Sequence, residues 1–509
     1  MSKFVNSREA IVSPLLLWKD KPTQVAVQET YEIKTYPVTN LFNEGPIHFS
    51  ISPQPHGMLR DVDIVTKFRI DNGNERITEI QPNLSVINNF ANALWELVEV
   101  RVGDRIDLMQ SMKNSYAYQT FFNTALNGER DRESILFQNE IFKMDTALDR
   151  NDAEDTAALT QSSISILQDA AKSIVGMTDE ELTGSNTLQT DKDGETLEAS
   201  LMNIDNVLTK QIRKIKKDGK YLSPNPKNLA SGQRAMRINN GQSVTVSSKL
   251  QCPLLRTEKC LPTDINLRIS LSKNSDDFLL LAPKESKYRV VIEDIYLNVK
   301  YLRPIDTILT QINEHLEEAP APYFTQKGEI IIRPITNSNR ILRVNDIFQG
   351  KLPTHAFFAL TQNRAFSGTR DSNPFVFVPY ARFQLYVDGT PYFLDPLEAS
   401  YTEVGNKKIY TETGEFSRQL YETIGRDFKG DCFITPENFQ LNFIVGASFT
   451  ADRSNTSSNY LNLQEKANAN IEIDIGYDTD IPTDMVLIVY TLHDRQIQIN
   501  GDREFTIIE

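Results

Sequence analysis

Short runs in which apolar and polar residues alternate, each closed by turn residues, recur along most of this chain and leave it few options but stacked β-sheets. In VDIVTKFRIDNG, Val62, Ile64, Phe68 and Ile70 share one face while Asp63, Lys67 and Arg69 share the other. A period of two sends successive side chains to opposite faces of a strand, and Asn72-Gly73 is a strong hairpin signal. Val98, Val100 and Val102 repeat the pattern, as do Ile265, Leu267, Ile269 and Leu271, and then Ile295, Leu297, Val299 and Tyr301. Later, Ala381, Phe383, Leu385 and Val387 oppose Arg382, Gln384, Tyr386 and Asp388, and IEIDIG alternates again. The stretch MVLIVY is apolar throughout, which suits a strand covered on both faces. Many short strands with turns between them point to an all-β sandwich architecture.

The two halves echo one another. A strand ending at Gly103-Asp104 is followed by the aromatic helix candidate SYAYQTFFNTAL; one ending at Asp388-Gly389 is followed by EFSRQLYETIG. With 509 residues there is room for two cores. The expected organisation is an N-terminal arm over 1–29, a first sandwich over 30–310 and a second over 311–509. Residues 144–235 break the strand pattern. They are rich in Asp, Ser, Thr and Asn and contain two helical stretches, TQSSISILQDAAKSIV and LEASLMNIDNVLTKQIRKIKK. They are expected to be a long, partly helical loop insertion in the first sandwich, projecting from the body or wrapping a neighbour.

Residues that would carry chemistry are not arranged for it. There is no GxxxxGK(S/T) phosphate loop, no GxGxxG after a strand and no HExxH. His48, His56, His315, His355 and His493 are scattered, so no metal-binding set is expected. Asp61 with Asp63, and Glu472 with Asp474, share strand faces and read as solvated charge; the Asp478–Asp480 run reads as a turn. Cys252, Cys260 and Cys432 have no CxxC spacing and read as reduced thiols filling apolar space. No catalytic, cofactor or metal residue is therefore assigned, and no enzyme is expected. A net charge of -14 argues against holding nucleic acid by broad phosphate neutralisation. No run approaches the roughly 18 apolar residues of a membrane span, and Leu15–Trp18 is too short for a secretory h-region. Folding in the cytosol or nucleus is expected.

Two stretches are candidates for contact between subunits. Lys210, Arg213, Lys214, Lys216, Lys217 and Lys220 form a basic cluster. It reads as the polar face and end of a helix, as a partner for acidic groups of a neighbouring subunit, or as a nucleic-acid or import signal. Leu15, Leu16, Leu17 and Trp18 need cover, either within the fold or on a neighbour.

Several stretches, in order, resemble the double jelly-roll major capsid proteins, the hexon-like group of virophages, polinton-type elements and adintoviruses, with adenovirus hexon more distant. They are YEIKTYPVTNLFNEGPIHFSIS, ALWELVEVRVGDRID, SYAYQTFFNTALN, CLPTDINLRISLSKNSDDFLLL and VVIEDIYLNVKYLRP. The most specific is NDIFQGKLPTHAFFALTQNRAFSGTRDSNPFVFVPYARFQLYVDG. It is similar to the family's run of a G-x-lP step, an aFxG loop, NPFxF and a strand ending in vdG. That likeness puts Gly350, Leu352, Pro353, Phe366, Gly368, Asn373, Pro374, Phe375, Phe377 and Gly389 in the matching places. The resemblance covers roughly residues 30 to 125 and 240 to 505. It implies two tandem eight-stranded jelly rolls, with 364–377 a connection near a neighbouring subunit and 378–389 the next strand, its aromatic residues filling a sandwich core. It implies a homotrimer of near-sixfold outline that tiles an icosahedral virion shell beside neighbouring capsomers, penton and minor or cement proteins. It implies no cofactor and leaves an internal membrane open. The alternative is a glycan- or receptor-binding β-sandwich protein of a virion, a spike or minor capsid protein, for which secretion and paired cysteines would be expected.

Overall fold

A computed structural model describes residues 23–145 and 229–508, apart from 40–44, 78–83, 103–105, 129–131, 239–240, 336–340, 346, 349–350, 405–406, 426–431, 436–437, 452–470 and 477–483. Among the described strands, sixteen form the main sheets of the two halves. The first half uses β1 (Val27–Thr35), β2 (Ile47–Ile51), β3 (Met58–Asn72), β4 (Trp95–Val102), β5 (Ile106–Gln110), β6 (Val244–Lys249), β7 (Leu267–Lys273) and β8 (Tyr288–Pro304). The second uses β9 (Ala321–Ile335), β10 (Ile341–Val344), β11 (His355–Gln362), β12 (Arg382–Val387), β13 (Thr390–Pro391), β14 (Ile444–Ser448), β15 (Ile471–Gly476) and β16 (Met485–Ile499).

The sheets of the first half run β1-β8-β3-β6 and β2-β7-β4-β5; those of the second run β9-β16-β11-β14 and β10-β15-β12-β13. Counted within each half, the order is the same: 1-8-3-6 in one sheet, 2-7-4-5 in the other. Among the described residues, every pairing of these strands is antiparallel, and none joins a strand of one half to a strand of the other. Each half is thus built as an eight-stranded jelly roll, as the resemblance implied.

The alternation read in the sequence is what fills the cores. Phe49, Ile64, Phe68, Val98, Val100, Leu267, Ile269, Leu297 and Val299 are buried between the first pair of sheets. In the second, Phe358 of β11 meets Phe383 of β12 across the sandwich at 5.4 Å. Met485–Tyr490 and His355–Thr361 are buried on both faces, because helices cover the outside of that sheet. α1 (Ser115–Asn127) and α2 (Glu133–Glu140) follow β5, and α3 (Leu229–Ile238) precedes β6. α4 (Asp306–Glu318) links the halves, and α5 (Gly414–Ile424) lies over β14. The two helices that sequence symmetry paired, α1 and α5, both lie in the connection from the fifth to the sixth strand of their own half.

Two expectations need adjustment. The strand after the 364–377 connection spans Arg382–Val387, not 378–389, because Pro379 has no N–H to donate to a ladder. The strand ends in a two-residue turn, with Val387 opposite Thr390 and with Asp388 and Gly389 at φ of 51° and 75°. Two successive positive φ values define the tight hairpin turn that Asp-Gly favours. The flanks of the expected insertion also lie inside the body rather than outside it: Met144, Asp145, Ala230, Ser231, Arg234 and Ala235 are buried.

Candidate functional site

The feature that turns two sandwiches into one block is α1. Its residues Tyr116, Ala117, Tyr118, Thr120, Phe121, Phe122, Ala125 and Leu126 are all buried, so the helix is covered on nearly every side. Ser115 starts it, accepting a hydrogen bond from the Met112 N–H at 2.7 Å and donating to the Met112 carbonyl at 2.8 Å. From the second half, the connection between β11 and β12 delivers Phe366, Phe375 and Phe377 onto this helix. Phe375 stacks on Phe121 with ring centroids 4.6 Å apart, and Phe377 stacks on Phe122 at 5.4 Å. Tyr118 touches both Phe366 and Phe375, at 5.9 and 5.4 Å. On its other flank Phe122 stacks on Tyr490 of β16 at 5.4 Å. Aromatic pairs in such arrangements contribute about 0.5–1.5 kcal/mol each beyond their buried area.

The rest of that connection is fastened to the first sandwich as well. Asn114 donates to the Phe366 carbonyl at 3.2 Å, Ala282 donates its N–H to the Arg370 carbonyl at 2.9 Å, and Arg370 pairs with Asp277 and the Ser286 carbonyl. Lys284 reaches Asp371 at 3.1 Å. Gly368, at a φ of 83°, passes so close to Phe278 that an added Cβ would lie 3.1 Å from the phenylalanine Cβ. A side chain there would be both strained and crowded. Phe375 and Phe377 are buried core residues, with Phe366 packed partly buried against the same core, and their cover comes from beyond their own sandwich. They cover an aromatic helix of the other half, since β11 and β12 fill their own core from their inward faces.

A second junction lies beneath it. The Arg234 side chain is fully buried and donates from Nη2 to Asp145 Oδ1 at 2.5 Å, from Nε to the Val86 carbonyl at 3.0 Å and from Nη1 to the Lys143 carbonyl at 2.9 Å. Asn373 donates to the other Asp145 oxygen at 2.9 Å, while its own oxygen accepts the Phe375 N–H at 3.1 Å. Both charges are therefore compensated and hydrogen-bonded, as burial demands. The pair holds together the two ends of the stretch 146–228 and ties them to the second half.

The remaining residues singled out in the sequence are placed as follows. Leu352, Pro353 and Pro374 are buried, and Gly389 is exposed in its hairpin. Gly350, Leu15, Leu16, Leu17, Trp18, Lys210, Arg213, Lys214, Lys216, Lys217 and Lys220 lie outside the described residues, as does most of 144–235. The carboxylate pairs form ion pairs across strands. Asp61 meets Lys249 at 2.8 Å, Asp63 meets Lys300 at 2.7 Å, and Arg343 grips Asp474 at 2.7 and 2.8 Å. The Arg343 hydrogen bond holds the Asp474 carboxyl below its ordinary range. Cys252 is buried, and burial pushes its thiol up to about 11. Glu140, at the end of α2, is buried with Asn92 donating to it at 3.0 Å; burial raises it to about 7. Among the described residues no group of three or more His, Cys, Asp or Glu could hold a metal, and no helix is long and apolar enough to cross a membrane.

The comparisons bear on the fold. The chain superposes on a chain of the Sputnik virophage structure solved by cryo-EM with a TM-score of 0.52, at 11% identity, over 99% of this chain and 93% of that one. It superposes on the mavirus major capsid protein with a TM-score of 0.50, at 10% identity, over 100% of this chain and 96% of that one. By sequence it is 21% identical to an uncharacterized protein of Caenorhabditis elegans over 202 residues, which are 39% of this chain and 45% of that relative's length. No family model matches the chain. The structural matches span both jelly rolls and show the double jelly-roll fold.

Proposed function

We propose that this chain, which has the double jelly-roll fold of hexon-like major capsid proteins, is itself a shell protein. It acts by assembly: three copies associate into a capsomer of near-sixfold outline, and capsomers tile an icosahedral shell beside penton and minor proteins. The observation that carries this reading is the repeated strand order, 1-8-3-6 and 2-7-4-5 in both halves, joined by a buried aromatic helix. Two like blocks fixed side by side give each chain two similar outlines, so three chains present six around an axis. Repeated use of one interface closes such a ring.

The rigid junction supports a tile more than an enzyme. Phe121, Phe122, Phe375 and Phe377 lock the blocks in one relation, where an active site between domains would need room for a substrate. The test is electron microscopy of purified, concentrated protein. Trimers or shells bear the proposal out; a chain that stays monomeric and instead retains glycans on an array moves the glycan- or receptor-binding reading to first place.

A further inference from the structure

The outward face of the sheet β2-β7-β4-β5 carries two rows of polar side chains set in register across three strands. In one row His48 of β2 stands opposite Ser270 of β7, and Ser270 stands opposite Glu99 of β4. Two residues along the strands, Ser50 stands opposite Arg268, and Arg268 stands opposite Arg101. The row between them, Phe49, Ile269 and Val100, points the other way and is buried in the core. Both polar rows line a cavity of about 420 Å³. Val38, exposed and donating its N–H to the His48 carbonyl at 2.7 Å, gives the cavity an apolar rim.

The two rows offer different chemistry. Like charges directly opposite one another on neighbouring strands are destabilising, yet Arg101 and Arg268 are placed so. An anion set between them turns that repulsion into attraction, because the guanidinium fork matches the oxygens of a carboxylate or a tetrahedral oxyanion. In the other row Glu99 accepts hydrogen bonds, Ser270 both donates and accepts, and His48 has a nitrogen for either role, a set that suits hydroxyl groups. The rows lie about 6.6 Å apart along the strands, a distance that one sugar ring spans between an acidic substituent and the hydroxyls on its far side. Glu99 lies 3.7 Å from Arg101, and Asp107 is the register partner of Arg101 on β5. Such mixed charge, on a chain of net charge -14, disfavours a bare polyanion such as nucleic acid. It favours a ligand that combines one negative group with several hydroxyls.

We propose that this face binds an acidic sugar, its carboxylate or sulfate held between Arg101 and Arg268 and its hydroxyls held by Glu99, Ser270 and His48. The site uses residues of one sandwich and none of the α1 junction. It therefore goes beyond the assembly reading and does not depend on it.

The test is a ligand-observed NMR titration of the full chain, as wild type, R268Q and E99Q, with 3′-sialyllactose, 3′-sulfolactose and lactose, and with sodium sulfate as competitor. Both substitutions fall on the outward face, so circular dichroism should show both variants folded. Wild type should bind the two acidic sugars and bind lactose about tenfold more weakly or worse, since lactose lacks the charge-assisted hydrogen bonds. R268Q should weaken the acidic sugars by a similar factor and leave lactose unchanged. E99Q should weaken the acidic sugars without weakening displacement by sulfate, which separates the hydroxyl row from the anion row. No binding of either acidic sugar, or binding that R268Q leaves intact, overturns the proposal. Equal binding of lactose overturns the role of the arginine pair. Sugar binding that E99Q leaves intact and sulfate abolishes reduces the face to a simple anion site and overturns the sugar assignment, as does a short oligonucleotide that displaces the sugars at lower concentration than sulfate does.

Discussion

Phe121 and Phe375 stack face to face, their ring centroids 4.6 Å apart and their planes 14° from parallel, one on a helix of the first half and the other on a loop of the second. The relationship makes the two sandwiches a single mechanical unit. Both side chains are at most 1% exposed, so neither can be shortened without opening a cavity.

Phe375→Ala should therefore destabilise the protein by roughly 3–5 kcal/mol, the usual range for a buried phenylalanine. Urea unfolding followed by far-UV circular dichroism measures it. Because the ring sits between the halves, the loss should fall on their docking, and limited proteolysis of the variant should cut within 363–381 before it cuts either sandwich. A loss under about 1 kcal/mol would mean the stack is incidental.

Arg234 and Asp145 should behave as an all-or-none pair. Arg234→Met leaves Asp145 buried without its cation and should cost about 3–5 kcal/mol. Adding Asp145→Leu should recover most of that, since two apolar groups carry no uncompensated charge. A double variant no more stable than the single one would contradict this account of the clamp.

The same pair sets how much of the chain can be cut away. Replacing residues 150–225 by a short Gly-Ser linker keeps Asp145, Arg234 and α3, so the melting temperature should change by only a few degrees. Extending the deletion to 235 removes Arg234 and should unfold the protein. Equal melting curves for the two deletions would show that the clamp is dispensable. A loss of shell formation by the shorter deletion, with folding intact, is the expected sign that 150–225 serves assembly.

Glu140 should make stability fall as pH rises. Its folded-state value, raised by burial to about 7, stands above the ordinary 4.5. The folded chain thus holds a proton that the unfolded chain releases. The stabilisation by neutral Glu140 is complete below about 4.5 and is lost as pH rises through 7, a difference on the order of 3 kcal/mol. Arg256 and Lys249 favour the ionised form and Asp63 opposes it, but desolvation outweighs them. Glu140→Gln should flatten the stability profile between pH 5 and 8 and exceed wild type at pH 8. A profile unchanged by that substitution would show that Glu140 does not titrate in this window.

The strands were legible because their burial follows the period of the residues themselves, as in Val62, Ile64, Phe68 and Ile70. Tandem organisation was legible because α1 and α5 recur after equivalent strands. The destination of Phe366, Phe375 and Phe377 was not: alternation tells which residues are covered, and says nothing of whether the cover is their own core or a helix of the other half. Asp145 and Arg234 were missed for a different reason. They fall in polar sequence on either side of a long connection, and only folding brings them to 2.5 Å. Gln384 falls on the polar face of its strand by alternation yet is buried, its amide donating to the Phe393 carbonyl at 3.0 Å. A hydrogen bond made nine residues along the chain leaves no mark on a pattern of period two.

The most direct test of the central claim is the native mass of the purified protein, measured by light scattering on a sizing column. One chain is 57.9 kDa. A capsomer-forming protein gives a particle of three times that mass that persists on dilution. A chain that elutes as a stable monomer at every concentration would contradict the assembly reading.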